Sequence, residues 1–331
     1  MIAGRRIALA LPLAAAFAAG GCVSIADRIA APHGAATVDD AALARMLEHD
    51  GVARRDFTTA EGVRLSWLDV PAAERGFSYD YGRRVERGEF TASFASRTAH
   101  PPVPVPARGT VVFVHGWRMN ATSMLGWAEA LSERGWRGVA VDLRNFGASA
   151  RAPAGYGTRE GRDVAALVDA LHAGGDAPAP VFLFGVSYGA ATALFAEPLL
   201  RGRIAGVVAM EPFGNAADAI RDLARHERID TGVDRAIIDA GHRLGLDLAA
   251  IDTAAPLAAS RTCTLLVHGA RDRLVPVATA RRLAASAPAV RYLELPDENH
   301  FTLPLRVDAL AAPLDDWLGA VAAGRCPAAA L

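Results

Sequence analysis

Six short apolar runs divide the second two thirds of the chain, at residues 110–114, 138–142, 181–184, 204–210, 263–267 and 291–295. Each is followed by a loop carrying Gly, His, Asp or Glu. Between them, apolar positions recur at helical spacing over 122–134, 159–172, 188–200, 278–285 and 305–322. Short buried strands alternating with helices predict a doubly wound, mostly parallel sheet. The interval 213–261 is too long for a simple crossover and holds helical pieces separated by Gly232, Gly241 and Gly245. It is expected to form a small helical lid over the carboxyl ends of the strands.

The first hundred residues read differently. Residues 39–48 predict a short helix, and 54–59 and 63–70 predict two strands around Ala60-Glu61-Gly62, an antiparallel hairpin. Alternating aromatics over 76–97 predict a second hairpin. Four prolines in residues 101–106 exclude a helix or central strand there and mark an extended connector. The expected organisation is a signal peptide over 1–21, a tether with a short helix over 22–51, and one catalytic domain over 52–331.

The run at 181–184 breaks at Gly185-Val186-Ser187-Tyr188-Gly189 and restarts as an Ala-rich helical pattern. This is how a strand, a sharp turn and a helix are written, with Ser187 exposed on the turn. The N–H of Tyr188 and the helix dipole both favour negative charge beside that hydroxyl. A serine needs a base to take its proton, and the base works best when a carboxylate fixes its tautomer. His300, just past the last strand, supplies the base. Asp272, just past the strand before it, supplies the acid. Glu211, at the end of the run 204–210, is the alternative acid.

In order and spacing, Ser187, Asp272 and His300 resemble the α/β-hydrolase family, as do Val114-His115-Gly116-Trp117 and Asp142-Leu143-Arg144-Asn145-Phe146-Gly147. The resemblance covers roughly residues 52–323. It implies an α/β-hydrolase fold and a Ser187–His300–Asp272 triad. It also implies a second oxyanion donor, the N–H of Trp117, beside that of Tyr188, and a mainly structural His115. Met119, Met210 and Phe213 fall near the site, as acyl-pocket lining or as packing.

Composition narrows the chemistry. All 35 basic residues are Arg, which removes lysine Schiff bases and Ser-Lys dyads. A net charge of -1 gives no footprint for nucleic acid. Neither a His-Glu-x-x-His pattern nor a cysteine cluster occurs, so no metal and no cofactor is expected.

Arg5-Arg6, the uncharged stretch from Ile7 to Ala19 and Gly20-Gly21-Cys22 form a secretory-type leader, too short to span a membrane as a stable helix. The segment Ala19-Gly20-Gly21-Cys22 resembles a bacterial lipobox, departing from it at Ala19, where Leu is usual. The resemblance implies lipidation of Cys22, and Val23 after it implies the outer membrane, facing the periplasm. An ordinary signal peptide, leaving a soluble secreted or periplasmic protein, is the alternative, and an uncleaved anchor a third. In an oxidising compartment Cys263 and Cys326 are expected to pair, since the last helix runs back to the edge where Cys263 opens its strand; two buried free thiols are the alternative.

The leading expectation is a serine hydrolase cleaving a small carboxylic ester through an acyl-enzyme. A peptidase resembling the serine aminopeptidases is the alternative, with Glu211 or Asp218 as the anchor for a substrate ammonium. A thioesterase or cofactor-free haloperoxidase follows, and then a non-catalytic binding lipoprotein. Oligomeric state is not legible in the sequence.

Overall fold

The computed structural model describes residues 24–33, 40–86 and 89–327; the leader and Cys22 lie outside them. The strands are β1 (Ala53–Thr58), β2 (Arg64–Val70), β3 (Ala73–Glu74), β4 (Ser78–Glu86), β5 (Glu89–Arg97), β6 (Val103–Pro104), β7 (Gly109–Val114), β8 (Trp136–Val141), β9 (Val181–Val186), β10 (Gly206–Met210), β11 (Cys263–Gly269) and β12 (Val290–Leu295). The helices are α1 (Ile25–Ala30), α2 (Asp40–His49), α3 (Leu125–Ser132), α4 (Thr158–Ala173), α5 (Tyr188–Ala196), α6 (Ala216–His226), α7 (Val233–Leu244), α8 (Ala254–Ala259), α9 (Val277–Ser286) and α10 (Val307–Ala322).

Eight strands form one sheet in the order β1-β2-β8-β7-β9-β10-β11-β12. The six from β8 to β12 run parallel, and the β1–β2 hairpin joins antiparallel to β8. All residues of β7, β9, β10 and β11 are buried because helices cover both faces, which is why these strands read as continuous apolar runs. Alternate side chains feed two cores. Val112, Val114, Leu183 and Ala209 face the core containing α4, α5 and α7, whereas Val111, Phe113, Phe184 and Val208 face the one containing α3 and α10. This is the α/β-hydrolase fold.

The chain passes from β7 to β8 on one side and later returns to β9 on the other. The strand order therefore reverses beside β7, and the loops after β7 and β9 flank the crevice where ligands bind in open α/β sheets. The second hairpin forms its own two-stranded sheet from β4 and β5. Part of the proline-rich connector, β6, pairs with β3 for two residues, an edge position that tolerates Pro104.

Several elements differ from the sequence expectation. The helix expected over 188–200 ends as an α-helix at Ala196 and finishes as a 3-10 turn, Glu197–Leu200, because Pro198 cannot continue the hydrogen-bond ladder. The helix expected over 122–134 starts as a 3-10 turn, Ala121–Met124, before α3. Helix α1, within the Ala-rich tether, has no counterpart in the expected elements. Ser24 and Asp27 cap it reciprocally, and the Tyr156 hydroxyl donates to the Ile29 carbonyl at 2.8 Å.

Cys263 and Cys326 form a disulfide with Cα atoms 5.7 Å apart, joining the start of β11 to the segment after α10. With the cysteines 63 positions apart in sequence, its removal is expected to cost about 4 kcal/mol in the chain-entropy account. Urea unfolding of Cys263→Ser/Cys326→Ser beside the oxidised protein measures this; equal midpoints would show that the crosslink adds nothing.

Candidate active site

Ser187 sits between β9 and α5 at φ 53°, ψ −114°, a left-handed backbone that a residue with a side chain adopts only under strain. Neighbouring backbone holds it there. The Ser187 N–H donates to the Met210 carbonyl at 2.7 Å, and its carbonyl accepts from the Ala191 N–H at 3.1 Å. A Cβ on Gly189 would stand 2.1 Å from the Val114 carbonyl oxygen, and one on Gly185 would stand 2.2 Å from the Gly189 carbonyl oxygen. The two glycines thus let β7, β9 and α5 approach closely enough to form the turn.

The imidazole of His300 bridges the serine and an acid. Its Nε2 lies 2.9 Å from Ser187 Oγ and its Nδ1 lies 2.8 Å from Asp272 Oδ2. With the ring proton on Nδ1, Nε2 is free to accept from the serine hydroxyl. His300 is held by the preceding residue: Asn299 Oδ1 accepts the N–H groups of Phe301 at 2.9 Å and Thr302 at 3.2 Å. The other oxygen of Asp272 accepts the N–H groups of Leu274 and Val275, both at 2.8 Å. Its Oδ2 also lies 3.3 Å from His268 Nε2, which bonds the Val275 carbonyl at 2.9 Å. Burial works against ionising Asp272, but bonds from His268, His300 and the Val275 N–H outweigh it and hold the carboxyl well below its usual range.

Glu211 is different in every respect. It follows β10 with φ 55° and is fully buried. It lies 3.7 Å from His300 Nδ1, and neither of its oxygens has a hydrogen-bond partner among the described residues. Burial, and then the Asp272 carboxylate beside it, push its pKa well above the usual carboxylate range. The donor atoms of Glu211, Asp272 and His300 lie within 4.8 Å of one another, the one such His/Cys/Asp/Glu set among the described residues. Within this set Asp272 accepts from His300 Nδ1 and from the N–H groups of Leu274 and Val275, whereas the Glu211 oxygens stay unpaired.

Two peptide units adjoin the serine. Tyr188 is the first residue of α5, so its N–H has no acceptor within the helix. A Cβ on Gly116 would stand 3.7 Å from Ser187 Cβ, which sets the Gly116–Trp117 peptide beside the nucleophile. The Trp117 ring packs against Phe146, Tyr156 and Tyr188, fixing that loop. His115 is fully buried: Nδ1 donates to the Gly116 carbonyl at 2.8 Å and Nε2 accepts the Leu143 N–H at 3.0 Å. Burial pushes its pKa down, and its position ties two loops together. Asp142 organises the next turn by accepting the N–H groups of Ala121 and Ala148.

The end of α6 lies beside the site. The His226 ring packs on Phe301 with centroids 5.3 Å apart, and Glu227 lies 3.7 Å from Arg118. Met210 is fully buried and belongs to the core, whereas Phe213 packs against Tyr188 and lines a cavity of about 340 Å³ with Asp218, Asp222, Val275 and Arg282. Asp218 is ion-paired to Arg221 at 2.8 Å.

The sequence pattern of the Alpha/beta hydrolase family matches residues 111–312. A 51-residue stretch is 47% identical to protein ABHD14A of Mus musculus, covering 15% of this chain and 21% of that protein. Among solved structures, esterase Pf2001 from Pyrococcus furiosus superposes with a TM-score of 0.60 at 16% identity, covering 89% of this chain and 97% of that one. A thermophilic esterase from Thermogutta terrifontis superposes with a TM-score of 0.53 at 19% identity, covering 81% and 99%. The esterase from Exiguobacterium antarcticum gives 0.53 at 15% identity, covering 80% and 98%. At these identities the structural likenesses speak for the fold, and the sequence pattern speaks for the family. The chain belongs to the α/β-hydrolase family and is, at that level, a hydrolase.

Proposed function

We propose that the protein is a serine hydrolase that cleaves carboxylic esters through an acyl-enzyme. The observation that carries this reading is the continuous hydrogen-bonded line from Ser187 Oγ through His300 to Asp272, with the serine on a strained turn at a helix N-terminus. Ser187 Oγ attacks the ester carbonyl carbon while its proton passes to His300 Nε2. The carbonyl oxygen takes the negative charge between the N–H groups of Tyr188 and Trp117. Collapse expels the alcohol, which leaves with the proton from His300. Water then attacks the acyl-enzyme, giving its proton to His300 and releasing the acid and the free serine.

Esters are favoured because they demand least of the leaving group, and because neither suggested anchor offers a charge committed to a substrate ammonium. Glu211 is buried without exposure and Asp218 is ion-paired to Arg221. Rapid mixing with a p-nitrophenyl ester is expected to give a burst of p-nitrophenol before the steady state, absent in Ser187→Ala. Turnover without any burst, undiminished in Ser187→Ala, would overturn the reading.

We further propose that the protein works in a bacterial cell envelope, lipid-anchored through Cys22 after cleavage of residues 1–21, with 213–261 acting as a lid. The leader pattern and the contacts of α6 with the Phe301 and Arg118 loops support this. Cys22→Ser is expected to move the protein from the membrane to the soluble fraction; retention at wild-type levels would count against the anchor.

A further inference from the structure

The carboxyl of Glu211 takes no part in the steps above, yet it is costly to keep. It combines a left-handed backbone, which a glycine would relieve, with two unpaired oxygens under complete burial, which any apolar residue would remove. The groups around it explain how it is tolerated. From β11 and the loop after it come His268 and Asp272; from the loop after β12 come His300 and Glu298, the latter ion-paired to Arg306. Asp222 of α6, ion-paired to Arg225, adds negative potential at Asp272. Two carboxyls this close do not both ionise readily. Asp272 has four donors around it and carries the charge. Glu211 has only the Gly269 N–H turned towards it, too poorly aligned to pair its oxygens, and holds its proton.

On the reading of Ser187, His300 and Asp272 as a triad, we propose that Glu211 is a second acid for His300. It is a positioning residue that shares one negative charge with Asp272 and can take over the Nδ1–H when Asp272 cannot accept it. The geometry allows this: Glu211 Oε2 lies 3.7 Å from Nδ1, less than 1 Å farther than Asp272 Oδ2 at 2.8 Å. Loss of the charge on Asp272 would also remove the main neighbouring repulsion that keeps Glu211 protonated.

Asp272→Asn is the direct probe. The N–H groups of Leu274 and Val275 would draw the asparagine carbonyl oxygen to the Oδ1 position and leave its NH2 group facing Nδ1. That arrangement favours the wrong imidazole tautomer, for which losses on the order of 10⁴-fold are typical. If Glu211 is a second acid, the residual rate of Asp272→Asn climbs roughly tenfold from neutral into alkaline pH as Glu211, whose ionisation burial opposes, loses its proton. The added Glu211→Gln change abolishes that climb and lowers the alkaline rate to the pH 7 level. Glu211→Gln alone lowers kcat a few-fold without changing KM, so its effect is larger when Asp272 is absent.

Identical rates and identical pH dependence in Asp272→Asn and Asp272→Asn/Glu211→Gln would overturn the proposal. Should that double variant fail to fold, Asp272→Asn/Glu211→Asp, which withdraws the carboxyl by one methylene but keeps its charge, is expected to flatten the same alkaline climb. An unchanged climb there would equally overturn it. Failure of the triad reading itself would appear elsewhere, as full activity in Ser187→Ala.

Discussion

Ser187→Ala is expected to lower ester hydrolysis on the order of 10⁶-fold, the loss typical of deleting a triad nucleophile. The size of the loss follows from the role assigned to the hydroxyl: without Oγ no acyl-enzyme forms, and His300 and Asp272 have no proton to move. The residue's backbone adds a second, independent expectation. At φ 53°, ψ −114°, any side chain is strained, and a glycine is not. Ser187→Gly should therefore be more stable than Ser187→Ala by about 1–2 kcal/mol, the reverse of the order seen at ordinary positions. Steady-state kinetics read the first effect and urea unfolding the second. An alanine variant as stable as the glycine variant would show that the turn stores no strain.

Gly189→Ala is expected to destabilise the fold by about 3 kcal/mol or more, at or above the top of the usual overpacking range because the neighbour is unyielding backbone. The new methyl group would meet the Val114 carbonyl oxygen at 2.1 Å and that of His115 at 2.5 Å. Both belong to backbone at the end of β7, beneath the site, and cannot turn aside as a flexible side chain could. Gly202→Ala is the control: its φ of 76° is also left-handed, but a Cβ there meets nothing within 4 Å. It should cost about 1–2 kcal/mol, from backbone strain alone. Equal losses at the two positions would mean that the close approach of α5 to β7 contributes nothing.

The parts of the fold legible in the sequence are those governed by periodicity. The strands of the parallel sheet are buried on both faces, so they stand out as apolar runs, and the loops after β9, β11 and β12 carry Ser187, Asp272 and His300 in chain order. Local rules missed in reading account for other differences. Pro198 ends α5 early, and Ser24 with Asp27 caps α1, but neither signal is loud inside an Ala-rich stretch. What could not be read is the behaviour of Glu211. As a residue type after a strand it was an alternative acid, equal in kind to Asp272. Their difference arises from the two N–H groups and two imidazoles that the folded loops bring within hydrogen-bonding reach of Asp272, while His300 Nδ1 stays 3.7 Å from Glu211. Likewise nothing in the local pattern marks His268, whose place 3.3 Å from Asp272 depends on how the loop turns back after β11.

The central claim is that Ser187 is a nucleophile activated by His300. It is tested most directly by treating the native protein with a fluorophosphonate and locating the adduct by peptide mass spectrometry. A single adduct on Ser187, absent from Ser187→Ala and slowed in His300→Ala, is the result the account predicts. No adduct on the folded wild-type protein, or one that maps to another residue and survives in Ser187→Ala, would contradict it.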